Sequence, residues 1–155
     1  MLELAVLSAA FAMGGAIPER YACGPCSPPL SWSEPPAGTQ SLAILCDDPD
    51  APVGDWVHWV VFNLAPDVRA LPENVARDAA LPGGAIQGVN DYNRNGYDGP
   101  CPPPGRPHRY HFKVFALDAR LALDPTARKA DLVQAMRGHV LAQGELVGTY
   151  ARKPR

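Results

Sequence analysis

The 155-residue sequence carries no excess of charge of either sign and no long apolar run. Its 14 Lys and Arg residues against 16 Asp and Glu residues give a formal net charge of −2, which excludes nucleic-acid binding driven by net charge. No run approaches the roughly 18 apolar residues that a membrane-spanning helix needs. Glu3 also stands where an export signal requires a cationic flank. We therefore expect a cytoplasmic protein that neither spans a membrane nor binds nucleic acid.

Cysteine is scarce as well, with Cys23, Cys26, Cys46 and Cys101 too few for a disulfide scaffold in a chain of this length. Cys23 and Cys26 have the spacing of a redox pair, but the prolines around and after them are hostile to the helix that such a pair opens. Structural thiols are the favoured interpretation. A local disulfide within the pair and a metal site that joins the pair to the other two cysteines are the alternatives. No cofactor is predicted.

The sequence lacks the nucleophile elbow Gly-x-Ser-x-Gly, the Walker loop and the dinucleotide-binding fingerprint. Proline and glycine, in contrast, are abundant, with 18 and 14 residues, which favours many short elements joined by defined turns over a helix bundle. A hydrophobic content of 46% supports a core, and the length fits a single domain over residues 1–155.

Apolar runs and alternation predict short strands, and a helical stripe predicts one late helix at 126–142 with Thr126 as its N-cap. His139 would lie on that helix. Short strands with one late helix favour an antiparallel β-sandwich. The predicted strands are 2–7, 41–46, 56–64, 108–117 and 145–151.

Three histidines fall on predicted strands. In 56–64 both parities are apolar, so this strand is expected to be central and covered on both faces, with His58 on the face of Trp56, Val60 and Phe62. His108 follows a long Gly/Pro-rich loop at 90–107 and shares its face with Tyr110, whereas His111 points the other way, which excludes a His-x-x-His metal pair.

A buried imidazole needs a hydrogen-bond partner, and the acidic segment Asp47-Asp48-Pro49-Asp50 is the expected supplier for His58. The alternatives are an ordinary surface turn for this segment and a satisfied core histidine for His58. Neighbouring carboxylates would keep the histidines protonated, and two charged imidazoles beside free loop N–H groups would suit phosphate or a similar anion.

Several motifs, in order, resemble the phosphatidylethanolamine-binding protein family, in its short bacterial and archaeal branch that is similar to Raf kinase inhibitor protein. They are SPPLSW (27–32), DPDAP (48–52), WVHW (56–59), GYDGPCPP (96–103), GRPHRY (105–110), GH (138–139) and LVGTY (146–150).

The resemblance implies a mainly β, Greek-key sandwich with one or two short helices near the C-terminus and an anion pocket at one end. The implied pocket lining is Asp48, His58, His108 and Tyr110, and the implied wall is Asp50, Pro52, Gly99, Pro102 and Pro103. It also implies cis peptide bonds at Pro49 and Pro52. The chain ends soon after Tyr150, without the C-terminal helix of the animal members, which predicts uncovered apolar surface and a homodimer.

The leading functional prediction is a non-enzymatic protein that binds a small anionic or phosphorylated ligand, and that acts as an inhibitor-type regulator of a kinase or protease partner not identified by the sequence. The alternative is a hydrolase or isomerase that uses His58, His108 and Asp48 as acid–base groups.

Overall fold

The computed structural model describes residues 2–153, which form nine β-strands and one α-helix. No helix in this part of the chain is long and apolar enough to cross a bilayer. The elements are β1 (Leu2–Glu3), β2 (Val6–Leu7), β3 (Leu30–Trp32), β4 (Ser41–Asp48), β5 (Trp56–Leu64), β6 (Ala70–Leu71), β7 (Ile86–Gln87), β8 (His108–Leu117), α1 (Lys129–Met136) and β9 (Val140–Tyr150).

The strands build two sheets. The larger has the order β1-β9-β8-β4-β5-β7 and the smaller the order β2-β3-β6, and every pairing is antiparallel except that of β1 with β9. One core cluster unites Trp32 of the small sheet with Ile44 and Phe112 of the large sheet. The other face of the large sheet packs against Leu132 and Met136 of α1. The mainly β sandwich fold with a short helix near the C-terminus is thereby confirmed.

Strand β5 is central, as predicted, but two bulges change which side chains share a face. Cys46 pairs with Trp59 and Asp47 with Val57, so His58 is an extra residue between them. Because the two residues at a bulge lie on nearly the same side of a sheet, His58 and Trp59 both face the sandwich interior. Val60 and Phe62, which were predicted to share the face of His58, pack on the helix side instead.

The boundaries near both chain ends differ from the prediction. The predicted strand 2–7 is divided between the two sheets. The helix begins only at Lys129, because Thr126 donates its N–H and hydroxyl to Asp124 instead of capping a helix. It ends at Met136, so His139 lies in the turn before β9 rather than on a helix, with its Nδ1 2.7 Å from a carboxylate oxygen of Asp118.

A disulfide joins Cys23 to Cys101 across 78 residues, whereas Cys26 and Cys46 are free. The interpretation of Cys23 and Cys101 as structural thiols was therefore wrong, and so was the local disulfide between Cys23 and Cys26. Sequence spacing cannot show which cysteines meet in three dimensions. The described residues contain no cluster of three or more His, Cys, Asp or Glu side chains that could hold a metal ion.

The expected cis prolines are also absent from the described residues, where every peptide bond is trans, including those of Pro49 and Pro52. The sharp change of direction after β4 comes instead from a turn in which Gly54 takes a φ of 98° and donates its N–H to the carbonyl of Ala51.

Candidate functional site

A cavity of about 120 Å³ opens at one end of the large sheet. Strand β4 runs antiparallel to both of its neighbours, so its last residue lies beside the first residues of β5 and β8. Strand ends therefore supply one side of the cavity, and loops supply the other. The strand side consists of Asp48, Trp56, His58, His108 and Tyr110, and the loop side of Ala51, Pro52, Val53, Tyr92, Cys101, Pro102 and Pro103.

Seven of the nine side chains predicted for a pocket lie around this cavity, namely Asp48, Pro52, His58, Pro102, Pro103, His108 and Tyr110. The other two do not. Asp50 turns outward and accepts two hydrogen bonds from the Arg109 guanidinium, of 2.9 and 2.8 Å, which hold the pKa of its carboxyl well below the usual range. Gly99 lies in a neighbouring groove, where a Cβ would stand only 2.2 Å from the carbonyl oxygen of Tyr21.

The three carboxylates of the acidic segment point in three directions, because alternate residues of a strand face opposite sides. Asp47 lies on the outer face of the sheet and pairs with Lys113 and Lys129 at 3.2 and 2.9 Å. Asp48 faces the cavity, and Asp50 contacts Arg109 at the rim. Only Asp48 contributes a carboxylate to the cavity.

Asp48 and His108 form a close pair, with 2.7 Å between the carboxylate Oδ2 and the imidazole Nδ1. The side chains of both are largely buried, with 4% and 13% exposed. Because a carboxylate only accepts hydrogen bonds, Nδ1 of His108 carries a proton and donates it. The other carboxylate oxygen accepts the N–H of Asp50 at 2.8 Å, so both oxygens of Asp48 have a partner.

The hydrogen-bond partner of His58 lies in the loop, whereas the sequence predicted a partner in the acidic segment. Its Nδ1 lies 2.6 Å from the backbone carbonyl oxygen of Asp98, so Nδ1 is the donor. Burial lowers the pKa of His58, against the opposing effects of that hydrogen bond and of Asp48. The expectation of two protonated imidazoles was therefore wrong, because desolvation outweighs the nearby carboxylate. The neutral ring has its lone pair on Nε2.

Nε2 of His58 and Nε2 of His108 have no hydrogen-bond partner among the described residues, and both rings line the cavity. Among the described residues, Nε2 of His111 is the one fully buried side-chain nitrogen or oxygen that has no hydrogen-bond partner. His111 lies on the opposite face of β8, as predicted, with its Nδ1 3.1 Å from Glu145. His58 and His108 thus both line the cavity with Nε2 free, while their Nδ1 atoms are held by the Asp98 carbonyl and by Asp48.

Aromatic rings hold these imidazoles in place. The Tyr110 ring is stacked on that of His108, with centroids 6.4 Å apart, and meets His58 edge-on at 5.3 Å. Tyr92 lies edge-on to Trp56 at 5.4 Å. Burial raises the pKa of Tyr110 and of Tyr92, so both hydroxyls keep their protons at neutral pH.

Asp98 organises the loop side of the site. Its carboxylate accepts hydrogen bonds from Asn90 at 2.8 Å, from Arg77 at 3.0 Å and from Arg94 at 2.8 Å. Sequence reasoning missed Asp98, Tyr92 and Trp56 as members of the site. Asp98 lies within the GYDGPCPP motif and Trp56 within WVHW, so those motifs were a usable signal, whereas nothing in the sequence distinguishes Tyr92.

The structure is a two-sheet β-sandwich, with a pocket at the end of its larger sheet that two histidines, an aspartate, aromatic rings and prolines line. The family model described as phosphatidylethanolamine-binding protein matches residues 7–151. The chain therefore belongs to the phosphatidylethanolamine-binding protein family, as the motifs predicted.

Individual relatives agree with this assignment. A UPF0098 protein of Methanothermobacter thermautotrophicus is 52% identical over 145 residues, which cover 92% of this chain and 95% of the relative. A crystal structure of a phosphatidylethanolamine-binding protein homologue from Chlamydia trachomatis is 39% identical, with a TM-score of 0.89 over 99% of this chain and all of that one. YbcL of Escherichia coli, described as a member of the mammalian family, is 35% identical, with a TM-score of 0.91 over 97% and 99% of the two chains.

Proposed function

We propose that the cavity binds a small oxyanion or the phosphoryl group of a small phosphorylated ligand. The observation that carries this proposal is that the Nε2 atoms of His58 and His108, two residues of the cavity lining, have no hydrogen-bond partner among the described residues, while their Nδ1 atoms are engaged by the Asp98 carbonyl and by Asp48. Both rings are held before any ligand arrives, so binding does not have to order them.

The two imidazoles offer complementary hydrogen-bonding groups. Neutral His58 presents an acceptor, and the protonated form of His108 presents a charged donor. A partly protonated phosphate carries both a P–O–H group and P–O⁻ oxygens, so it can donate to His58 and accept from His108. The acceptor on His58 therefore favours a ligand that retains a proton over a fully ionised one.

The size of the cavity narrows the ligand class. Its volume of about 120 Å³ is well below the roughly 300–1,000 Å³ of pockets for drug-sized molecules. The cavity accommodates a headgroup-sized anion and not an acyl chain.

Titration calorimetry with inorganic phosphate and O-phosphorylethanolamine at pH 6 tests this proposal. We expect saturable binding to the wild type and a loss of at least about tenfold in affinity in His108→Gln, since a hydrogen bond to a charged group contributes about 1.5–3 kcal/mol. His111→Gln is the matched control, because it removes an imidazole from the opposite face of the same strand. No binding to the wild type, or equal affinities in the two variants, would overturn the proposal.

Acid–base catalysis by Asp48, His58 and His108 is a second candidate, favoured by the 2.7 Å carboxylate–imidazole pair. Among the residues described, none in the cavity lining is a serine, a threonine or a free thiol, since Cys101 is disulfide-bonded, so hydrolysis by this candidate uses water as the nucleophile. It predicts turnover of simple phosphate esters that is lost in Asp48→Asn. Binding without any turnover would contradict it.

Inhibition of a kinase or protease is a third proposal, and it concerns the rim of the cavity. Val53 is 77% exposed there, and a protein partner that covers the rim would bury this apolar side chain. Pull-down with wild type and Val53→Ser, followed by assay of the captured enzyme, tests it. The predicted homodimer stays a prediction, which the sedimentation velocity of the purified chain will decide.

A further inference from the structure

A second concavity, of about 210 Å³, lies next to the cavity and shares Tyr92 and Cys101 with it. We call it the arginine groove. Its lining is Cys23, Gly24, Tyr92, Arg94, Asp98, Gly99 and Cys101. The two spaces therefore adjoin at Tyr92 and Cys101, and the ligand inferred below would reach the groove along these two side chains.

The separation between the two spaces is that of a small molecule. The ring centroids of His58 and Tyr92 are 5.8 Å apart, and the Arg94 guanidinium carbon lies 5.9 Å from the centroid of Tyr92. The His58 ring and the Arg94 guanidinium are therefore no more than about 12 Å apart. A hydrogen bond at each end of a bound ligand takes up about 3 Å of this distance. A spacer of a few covalent bonds, each of about 1.5 Å, bridges the remainder.

Arg94 is prepared to bind an anion, whereas Arg77 is not. Arg94 is 60% exposed and uses Nε and one Nη2 hydrogen on Asp98, so three of the five N–H groups of a guanidinium have no partner in the described part of the chain. Arg77 instead also donates to the backbone carbonyls of Asn95 and Tyr97. The bidentate contact with Asp98 fixes Arg94, so it offers its free donors at little entropic cost.

The charge around the groove is positive. Arg77 and Arg94 share the single carboxylate of Asp98, and no second carboxylate belongs to the described lining. Arg152 adds a further cation, with its Nη1 3.7 Å from Sγ of Cys101. A group that enters the groove therefore gains most if it is itself an anion.

We propose that the arginine groove is a second subsite, and that the ligand is a small phosphorylated acid whose phosphoryl group occupies the cavity while a carboxylate, a few bonds away, binds Arg94. This inference rests on the proposed function of the cavity. It predicts a preference for phosphorylated carboxylic acids over phosphorylated amines or alcohols of the same length.

Three probes test it by titration calorimetry: inorganic phosphate, O-phosphorylethanolamine and O-phosphoserine. The last two differ only in a carboxylate. We expect the wild type to bind O-phosphoserine about tenfold or more tightly than O-phosphorylethanolamine, because a charge-assisted hydrogen bond is about twice as strong as a neutral one. Arg94→Gln is expected to abolish that difference, by weakening the binding of O-phosphoserine far more than that of inorganic phosphate.

Arg137→Gln is the matched control, since it removes the same charge at the end of α1, away from both spaces, and is expected to retain the preference. If the wild type binds none of the three probes, the proposed function of the cavity fails. If phosphate binds but O-phosphoserine has no advantage, or Arg94→Gln keeps that advantage or loses phosphate binding as well, the cavity proposal stands and the second subsite is overturned.

Discussion

The two sides of the cavity are held by different kinds of interaction. On the strand side, Asp48, His58 and His108 extend from β4, β5 and β8, whose backbones are fixed by ladders of hydrogen bonds on both sides of the bulge at His58. The loop side includes Pro102 and Pro103, and proline has no N–H with which to join such a ladder.

The loop side relies instead on a few discrete anchors. These are the Cys23–Cys101 disulfide, the hydrogen bond of 2.9 Å from the Cys23 N–H to the Pro100 carbonyl, and the contacts of Asp98. Asp48, His58 and His108 therefore lie on the rigid half of the cavity, where positions are most exact, whereas Pro102 and Pro103 lie on the half that single substitutions can loosen.

Removal of the disulfide, which is the covalent anchor of the loop side, is expected to give the largest effect on stability. A closed loop of 78 residues stabilises the folded chain by about 4 kcal/mol in the chain-entropy treatment. Cys23→Ser/Cys101→Ser should therefore unfold at a much lower urea concentration than the wild type. Cys26→Ser, which removes a free thiol from the same segment, is the control. Equal midpoints for the double variant and the wild type would show that the loop side does not depend on its covalent anchor.

Asp98→Asn tests the second anchor of the loop side. It leaves Arg77 and Arg94 without their shared carboxylate, and breaking a buried ion pair costs about 3–5 kcal/mol. Since the Arg94 side chain is 60% exposed, solvent screening reduces the expected loss to about 2–3 kcal/mol. Urea unfolding measures it, with Asp118→Asn, an exposed partner of His139, as the control. A loss no greater than that of the control would contradict the role of Asp98.

The state of His58 on the strand side should be measurable in the pH dependence of the unfolding free energy. Burial lowers the pKa of His58 below its ordinary value of 6.5, so the unfolded chain binds more protons than the folded chain as the pH falls below about 6.5. The free energy of unfolding therefore falls on acidification through this window, by at most about 1.4 kcal/mol per pH unit for one proton.

His58→Asn keeps a donor for the Asp98 carbonyl but cannot titrate, so the difference in unfolding free energy between it and the wild type should change between pH 7.5 and 5.5. The lowered pKa of the Asp50 carboxyl acts separately, because its stabilisation is lost only as the pH falls below about 3.8. Parallel pH profiles for the wild type and His58→Asn would refute the assignment of a neutral, buried His58.

The smallest effect on stability is expected for Arg94→Gln, although it carries the proposed specificity. Arg94 is mostly exposed, and Asp98 keeps Arg77 and Asn90 as partners, so the change in unfolding free energy should stay within about 0.5 kcal/mol. A loss comparable to that of Asp98→Asn would show that Arg94 anchors the loop rather than awaiting a ligand.

The positions of the strands, and which strand is buried on both faces, were largely predictable. Apolar runs and the alternation of apolar with polar residues are local signals. Strand β8 was predicted with its observed bounds, and β5 was predicted to be covered on both faces. The bulge at His58 was not predicted, because a bulge is a mismatch between two paired strands. The sequence of one strand does not show it. The helix was predicted too long because Thr126 prefers the local carboxylate of Asp124.

For the site, the motifs predicted most of the cavity lining but not its charges and hydrogen bonds. His58 was expected to be charged by the acidic segment, yet its partner is a carbonyl from a loop 40 residues away. Asp50 belongs to the same short segment as Asp48 but ends at Arg109 on the rim. Which carboxylate meets which histidine depends on long-range packing that spacing does not encode.

The amino-acid sequence alone determined the family, the sandwich class and the residue types of the pocket, because periodicity and ordered motifs are written along the chain. The tertiary structure alone decided the pairing of Cys23 with Cys101, the neutral state of His58 and the position of Arg94 beside the cavity. These depend on burial and on contacts between segments far apart in the chain, and such contacts exist only once the sheets have packed.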